Sequence, residues 1–357
     1  MKLARPIAVL AATLLLTLPA VAQISLTPPS VQAPATKPAE PPAKPPAVAK
    51  KPPAPPAPKP SPTPAPLPAQ TVIPAPPQDN SNVDLVYGAY QRGQYKTAFE
   101  LAGGRAQAGD PKAMTMLGEL YANGLGIKRD YSKAAEWYKR AADAGDREAM
   151  FALAMMRMAG RGGPVDRGEA VKLLASSAKL GEPKAAYNLA LLYLDGQTLP
   201  QDVKRSAELL RQAADAGLPE AQYALATFYK EGTGVEKDME KAVRLLQAAS
   251  LANNVDAVVE YAIALFNGTG TPRNQVAAVA LLRKAAQQNS PIAQNRLARV
   301  LITGMGSTVD KVEGFKWHLI AKSAGKGDPE LDKAFSELSP EDRARAEEGA
   351  RRWLGVK

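Results

Sequence analysis

Glycine recurs in this chain at a fixed interval. Gly124, Gly160, Gly196, Gly232, Gly268 and Gly304 lie 36 residues apart, as do Gly109, Gly145, Gly181 and Gly217. A period of this length constrains the fold more than any single motif, because a self-similar chain folds as a row of equal units that must stack on one another. Aligned on the period, six units begin at Gly109, Gly145, Gly181, Gly217, Asn253 and Asn289 and run through residues 109–324.

Each unit reads as helix, glycine loop, helix. In the first helix, A, an alanine (Ala113, Ala149, Ala185, Ala221, Ala257, Ala293) is followed four residues on by Leu117, Leu153, Leu189, Leu225, Tyr261 or Leu297. A spacing of four puts both on one face. The next position is always small, Gly118 or an alanine, which lets a neighbouring helix come close. The first loop glycine sits where a helix C-terminus favours a left-handed residue. The loop then ends in Asp130, Asp166, Asp202, Asp238, Asn274 or Asp310, six residues suited to accept the free N–H groups that open helix B. In helix B the apolar slots are Trp137, Leu173, Leu209, Leu245, Leu281 and Trp317. Four residues further on lie small residues, Ala141, Ser177, Ala213, Ala249, Ala285 and Ala321. One hairpin cannot bury both of its faces, so the hairpins must stack into an elongated superhelix.

The succession of Ala, Leu, a small residue, Tyr, Gly-x-Gly, Asp, Lys-Ala and Ala-Ala is clearest in Gly109–Ala144 and Gly217–Ala252. It resembles the Sel1-like repeat, a relative of the tetratricopeptide repeat with a longer inner loop. The resemblance implies an all-α, right-handed α-solenoid of six 36-residue helix-loop-helix repeats. Gly162-Gly163-Pro164, Thr198 and Thr271-Pro272-Arg273 depart from the pattern locally. Some secreted members carry a disulfide in each repeat; this chain has no cysteine, so nothing from that branch transfers.

Outside the repeats the chain changes character. Lys2 and Arg5 precede an apolar run, Ile7 to Leu18, and Ala20-Val21-Ala22 forms a small-residue cleavage site. Residues 1–22 therefore read as a signal peptide cleaved after Ala22, too short for a membrane span, and the mature protein is expected in the periplasm. Residues 23–82 read as a disordered Pro/Ala/Lys-rich linker; 21 of the 32 prolines fall between residues 27 and 82. Such a spacer extends up to about 3.1 Å per residue. Residues 83–108 read as a capping half-repeat with a shortened loop, and residues 325–357 as C-terminal capping helices, the last opening at Ser339-Pro340-Glu341. Trp353 and Leu354 are expected to pack back on the last repeat.

Charge narrows the partners. The chain carries a formal +10, but seven Lys/Arg and two Asp/Glu lie before residue 83, leaving 38 against 33 after it. That is no basic stripe for a nucleic acid. No paired carboxylates, nucleophile with a base, or metal-ligand cluster stands out, so neither catalysis nor a cofactor or metal is expected. The one histidine, His318, fills a slot held by Tyr138, Leu174, Leu210, Leu246 and Leu282 elsewhere and reads as a partly buried packing residue.

What varies between units is the outer face of helix A. Repeats two to five carry Phe151, Met155, Met158, Tyr187, Leu191, Leu194, Tyr223, Thr227, Ile263 and Phe266 there, where the end repeats carry Thr115, Glu119, Asn295 and Arg299. This stripe is the candidate binding face for a partner protein or peptide of the cell envelope. Packing between repeats explains the same pattern, and the rotation of helix A decides between the two. The resemblance implies a non-catalytic adaptor that holds envelope complexes together or modulates a membrane sensor's periplasmic domain. Association with peptidoglycan is the alternative, carried by the cationic linker and the exported location.

Overall fold

The computed structural model describes residues 81–355. The expected signal peptide and all but the end of the linker lie outside the described residues. Among these residues there are sixteen helices and no strands. Helices α1 (Ser81–Gln91) and α2 (Tyr95–Gln107) precede six A–B pairs. The pairs are α3 (Pro111–Asn123) with α4 (Tyr131–Asp143), α5 (Arg147–Ala159) with α6 (Arg167–Lys179), and α7 (Pro183–Asp195) with α8 (Val203–Asp215). They continue as α9 (Pro219–Glu231) with α10 (Met239–Leu251), α11 (Val255–Asn267) with α12 (Gln275–Gln287), and α13 (Pro291–Thr303) with α14 (Lys311–Ser323). Helices α15 (Pro329–Ser336) and α16 (Pro340–Leu354) close the stack. From α1 to α15 each packs on its neighbours in chain order, as a solenoid requires, and α16 returns to pack on α14.

The register is set at both ends of every helix. Helix A stops because Gly124 and its five copies take left-handed φ values between 64° and 79°, which costs a side-chain-bearing residue about 1 kcal/mol or more. Helix B starts at the Asp/Asn positions read from the sequence, each accepting from the backbone N–H three residues on, at 2.8–3.0 Å. Those same capping residues donate their own N–H back to helix A, Asp130 to Tyr121 and so on through Asp310 to Leu301, at 2.8–3.0 Å. Each inner loop is thereby closed by one backbone bond.

The connection from helix B to the next helix A is only three residues long. In Ala144-Gly145-Asp146, Gly145 donates to the Ala142 carbonyl and Asp146 to the Ala141 carbonyl, which satisfies the orphan carbonyls of α4. The Asp146 side chain then caps α5 through Ala149 N–H at 2.8 Å. Asp110, Glu182, Asn254, Ser290 and Asp328 cap their helices in the same way, and only Leu218 lacks a capping side chain. This second ladder of caps is not apparent from the sequence, because its members differ in type.

Between the helices the packing is of small against large. Ala141, Ser177, Ala213, Ala249, Ala285 and Ala321 have no exposed surface at all. The slot of Tyr138, Leu174, Leu210, Leu246, Leu282 and His318 is the deeper of the two apolar slots in helix B, whereas Trp137, Leu173, Leu245 and Leu281 are only half-buried. In repeat one a β-carbon added to Gly118 would lie 2.6 Å from the Tyr138 ring. The glycine at the small position of helix A and the one aromatic phenol at the deep slot of helix B are therefore a matched pair. The other repeats pair alanine with leucine or, in the last, histidine.

The two ends differ. Helix α2 begins 36 residues before α4 and has the same length, so it is a true helix B. The loop before it is cut to Arg92–Gln94, and Leu85, Tyr87 and Leu101 remain exposed on this terminal pair. At the other end Ala346 and Ala350 of α16 pack into the core, and the Trp353 ring meets Trp317 edge-on at 5.0 Å. Leu354 is exposed, against the expectation, because the helix turns its alanine line inward. Shorter α15 is held by Leu331, by Phe335 against Phe315 at 5.5 Å, and by Asp332, which lies 2.9 Å from His318 Nε2 and accepts from Lys322 at 2.7 Å. His318 is wholly buried, not partly as expected.

Gly118→Ala should lower stability by about 1–3 kcal/mol through overpacking, and adding Tyr138→Leu should restore much of it by recreating the pair found in other repeats; denaturant unfolding measures both. Lys322 and His318 hold the Asp332 carboxyl below its ordinary value. A carboxyl lowered on folding stabilises the native state above its unfolded value, and the contribution disappears as pH falls through its folded value. Acidification through the carboxylate range should therefore loosen α15 on α14, seen as faster amide hydrogen exchange in α15, and Asp332→Asn should flatten that acid-dependent step.

Candidate partner-binding face

The outer face of helix A resolves into two parts. In repeats two to four, Phe151, Met158, Tyr187, Leu194 and Tyr223 are half-buried: each packs against the core cluster of α5 to α11 and keeps part of its surface in solvent. Met155 is the most exposed, at 36%. Leu191 and Thr227 are half-buried, and the Thr227 hydroxyl donates to the Tyr223 carbonyl at 3.3 Å. These eight residues lie on three successive A helices, each partly exposed.

In repeat five the expectation fails. Ile263 is 8% and Phe266 2% exposed, and both belong to the core cluster that runs through α11 to α16. Val259 joins them, and Ile302 of the next helix A packs against the same cluster. Ile263 and Phe266 are therefore core residues that present nothing to a partner.

The polar residues at both ends of the stripe have a structural job. Thr115 donates to Asp146 at 3.1 Å, and Glu119 accepts from Tyr90 of α1 at 2.7 Å. At the far end Arg299 reaches Asp328 and Glu330, and Asn295 donates to the Lys326 carbonyl at 3.3 Å. Thr115 ties its repeat to the next one, and Glu119, Asn295 and Arg299 secure the terminal segments. The stripe is apolar where none of these ties is made.

Charge around the stripe is negative. Burial raises the Tyr187 phenol above its ordinary value, and Glu220 raises it further. Burial likewise pushes Tyr223 up to about 12, helped by Glu260, Asp256 and Glu231. Both rings are thus neutral at physiological pH and lie close to carboxylates. Lys230 pairs with Glu260 at 3.2 Å. Among the described residues Asp195, Glu220, Glu231 and Asp256 make no ion pair or side-chain hydrogen bond.

Elsewhere, a cleft of about 520 Å³ opens between α8, α10 and the loop of repeat four. Lys204, Arg211, Lys237 and Lys241 line it with Glu208, Glu236 and Asp238, and Arg211 donates to the Tyr229 hydroxyl at 3.3 Å. It shares no residue with the stripe, and nothing in the sequence pointed to it. No group of three or more His, Asp or Glu among the described residues is arranged to hold a metal. No helix among them is long and apolar enough to cross a membrane.

The comparisons agree with this architecture. The family described as Sel1 repeat matches residues 111–146, 147–182, 183–218, 219–254, 255–290 and 291–326. A crystal structure of a Sel1 repeat protein from Oxalobacter formigenes is similar, with 27% identity, a TM-score of 0.61, and coverage of 68% of this chain and 99% of that one. A protective antigen of uropathogenic Escherichia coli strains, c5321, displaying an SLR fold, shares 24% identity over 78% of this chain and 69% of its own, with a TM-score of 0.52. Among curated proteins, none matches. Sel1 repeat proteins are in general protein-interaction scaffolds, and the fold is typically non-catalytic. With six contiguous matches covering more than half of its length, the chain belongs to the Sel1 repeat family.

Proposed function

We propose that the protein is a non-catalytic adaptor that docks an extended segment of a partner protein along the A helices of repeats two to four. The observation that carries this reading is the row of Phe151, Tyr187 and Tyr223, repeated once per unit, half-exposed, and flanked by Met155 and Leu191. Aromatic rings fixed from behind by the core offer contact area at little entropic cost, which is how interface anchors behave. The leader read in residues 1–22 supports a periplasmic location for the adaptor, with a mature N-terminus at Gln23. There its partners would be envelope proteins, the periplasmic domain of a membrane sensor among them.

A photo-crosslinking residue at position 187 or 223 should yield partner adducts in cells, and one at Leu251, exposed on α10, should not. Met155→Asp with Leu191→Asp should weaken partner binding by about 2 kcal/mol, roughly 30-fold, with little change in thermal unfolding because both side chains reach solvent. Equal adduct yields from position 251 would remove the stripe from consideration. Tyr187→Ser is the poorer probe, since losing a half-buried ring costs stability of the order of 2 kcal/mol. N-terminal sequencing of the periplasmic fraction should begin at Gln23.

A further inference from the structure

The stripe has a candidate ligand within its own chain. Along α7, α9 and α11 the carboxylates of Asp195, Glu220, Glu231 and Asp256 have no counter-ion among the described residues, and of the two lysines on these helices Lys230 is already paired with Glu260, which leaves Lys184 alone against the four. The face therefore presents partly exposed aromatic side chains beside an excess of negative charge. The sequence ahead of α1 has the complementary chemistry: 21 prolines between residues 27 and 82, and Lys37, Lys44, Lys50, Lys51 and Lys59 against only Glu40 and Asp79. Proline rings lie flat on aromatic side chains, and a proline-rich segment loses little conformational entropy when it docks.

Length permits the contact. Lys59 precedes the start of α1 by 22 residues, which can span up to about 68 Å at ~3.1 Å per residue. From α1 to Tyr223 on α9 there are four A-helix steps, about 40 Å at roughly 10 Å each. A tethered segment also acts at an effective concentration in the millimolar range, so even a weak contact is populated.

We propose that, in the absence of a partner, the lysine- and proline-rich segment of residues 37–68 lies on the A-helix stripe of its own chain, prolines against Phe151, Tyr187 and Tyr223 and lysines toward Glu220, Glu231 and Asp256. This rests on the reading of the stripe as a docking face and adds to it that a partner must displace the arm. The occupied stripe is then shielded from indiscriminate apolar contacts, and high salt weakens the shield by screening the lysines.

The absence of cysteine makes the test direct. Ala54→Cys and Ala159→Cys, introduced into the full mature chain and spin-labelled, report the distance from arm to stripe by pulsed electron resonance. The expected result is a narrow population that survives dilution with unlabelled chain. It should be lost when the five lysines are changed to glutamate, and also with Met155→Asp, which leaves the core intact. A broad distribution indifferent to the lysine change overturns the proposal, as does a narrow one that disappears on dilution, since that would mean the arm of a second copy. The lysine-to-glutamate chain should also give more partner adduct from position 223 than the unmodified chain. If adducts form from that position while the distance distribution is broad, the arm proposal fails and the docking face stands; if neither appears, both fail.

Discussion

Close contact between rows of alanine and rows of leucine is what everything else in this molecule depends on. The small line of helix B is completely buried in all six repeats, and the alanine of helix A is nearly so. Such contacts have no direction and gain only through area and fit, so they hold when each helix presents the same line at the same height. The capped and glycine-stopped helix ends supply that constancy: all twelve repeat helices have 13 residues. Caps and packing are thus one device, the first setting register and the second using it. The termini show what happens when the rows run out. Helix α16 covers the last row with two alanines and turns its charges outward, whereas α1 and α2 leave three large apolar side chains in water.

Most of the framework was legible in the sequence because six copies average away what is peculiar to each. The first loop glycine, the caps of helix B and the small positions all stood out as columns. The caps of helix A did not, since Asp110, Asp146, Glu182, Asn254 and Ser290 share a role and not an identity. The pairing of Gly118 with Tyr138 was hidden for a related reason: it is a contact between two columns. His318 was legible as a packing residue, but its contact with Asp332 lies in α15, outside the period.

The binding face was legible as a pattern and not as a surface. Ile263 and Phe266 fill the slots of Met155 and Met158 in one dimension and are core in three, where they join the cluster that runs through α11 to α16. The half-burial of Phe151, Tyr187 and Tyr223 resolves the choice between packing and exposure in favour of both. A ring gripped on one side by the core is held in place on the other, which is the property the proposed docking role needs.

The three-residue junction has a consequence for how such an array can change. Asp146 finishes one helix with its N–H and begins the next with its carboxylate. Lengthening or shortening the chain at this point breaks two terminations at once. Adding or deleting a whole 36-residue module breaks none, because each new junction keeps the same length and the same backbone bonds as the old. The length of the A-helix face is consequently quantised, growing or shrinking in steps of one helix spacing. Evolution can retune its reach by copying whole modules and its chemistry by editing the few outward side chains, with neither change disturbing the other.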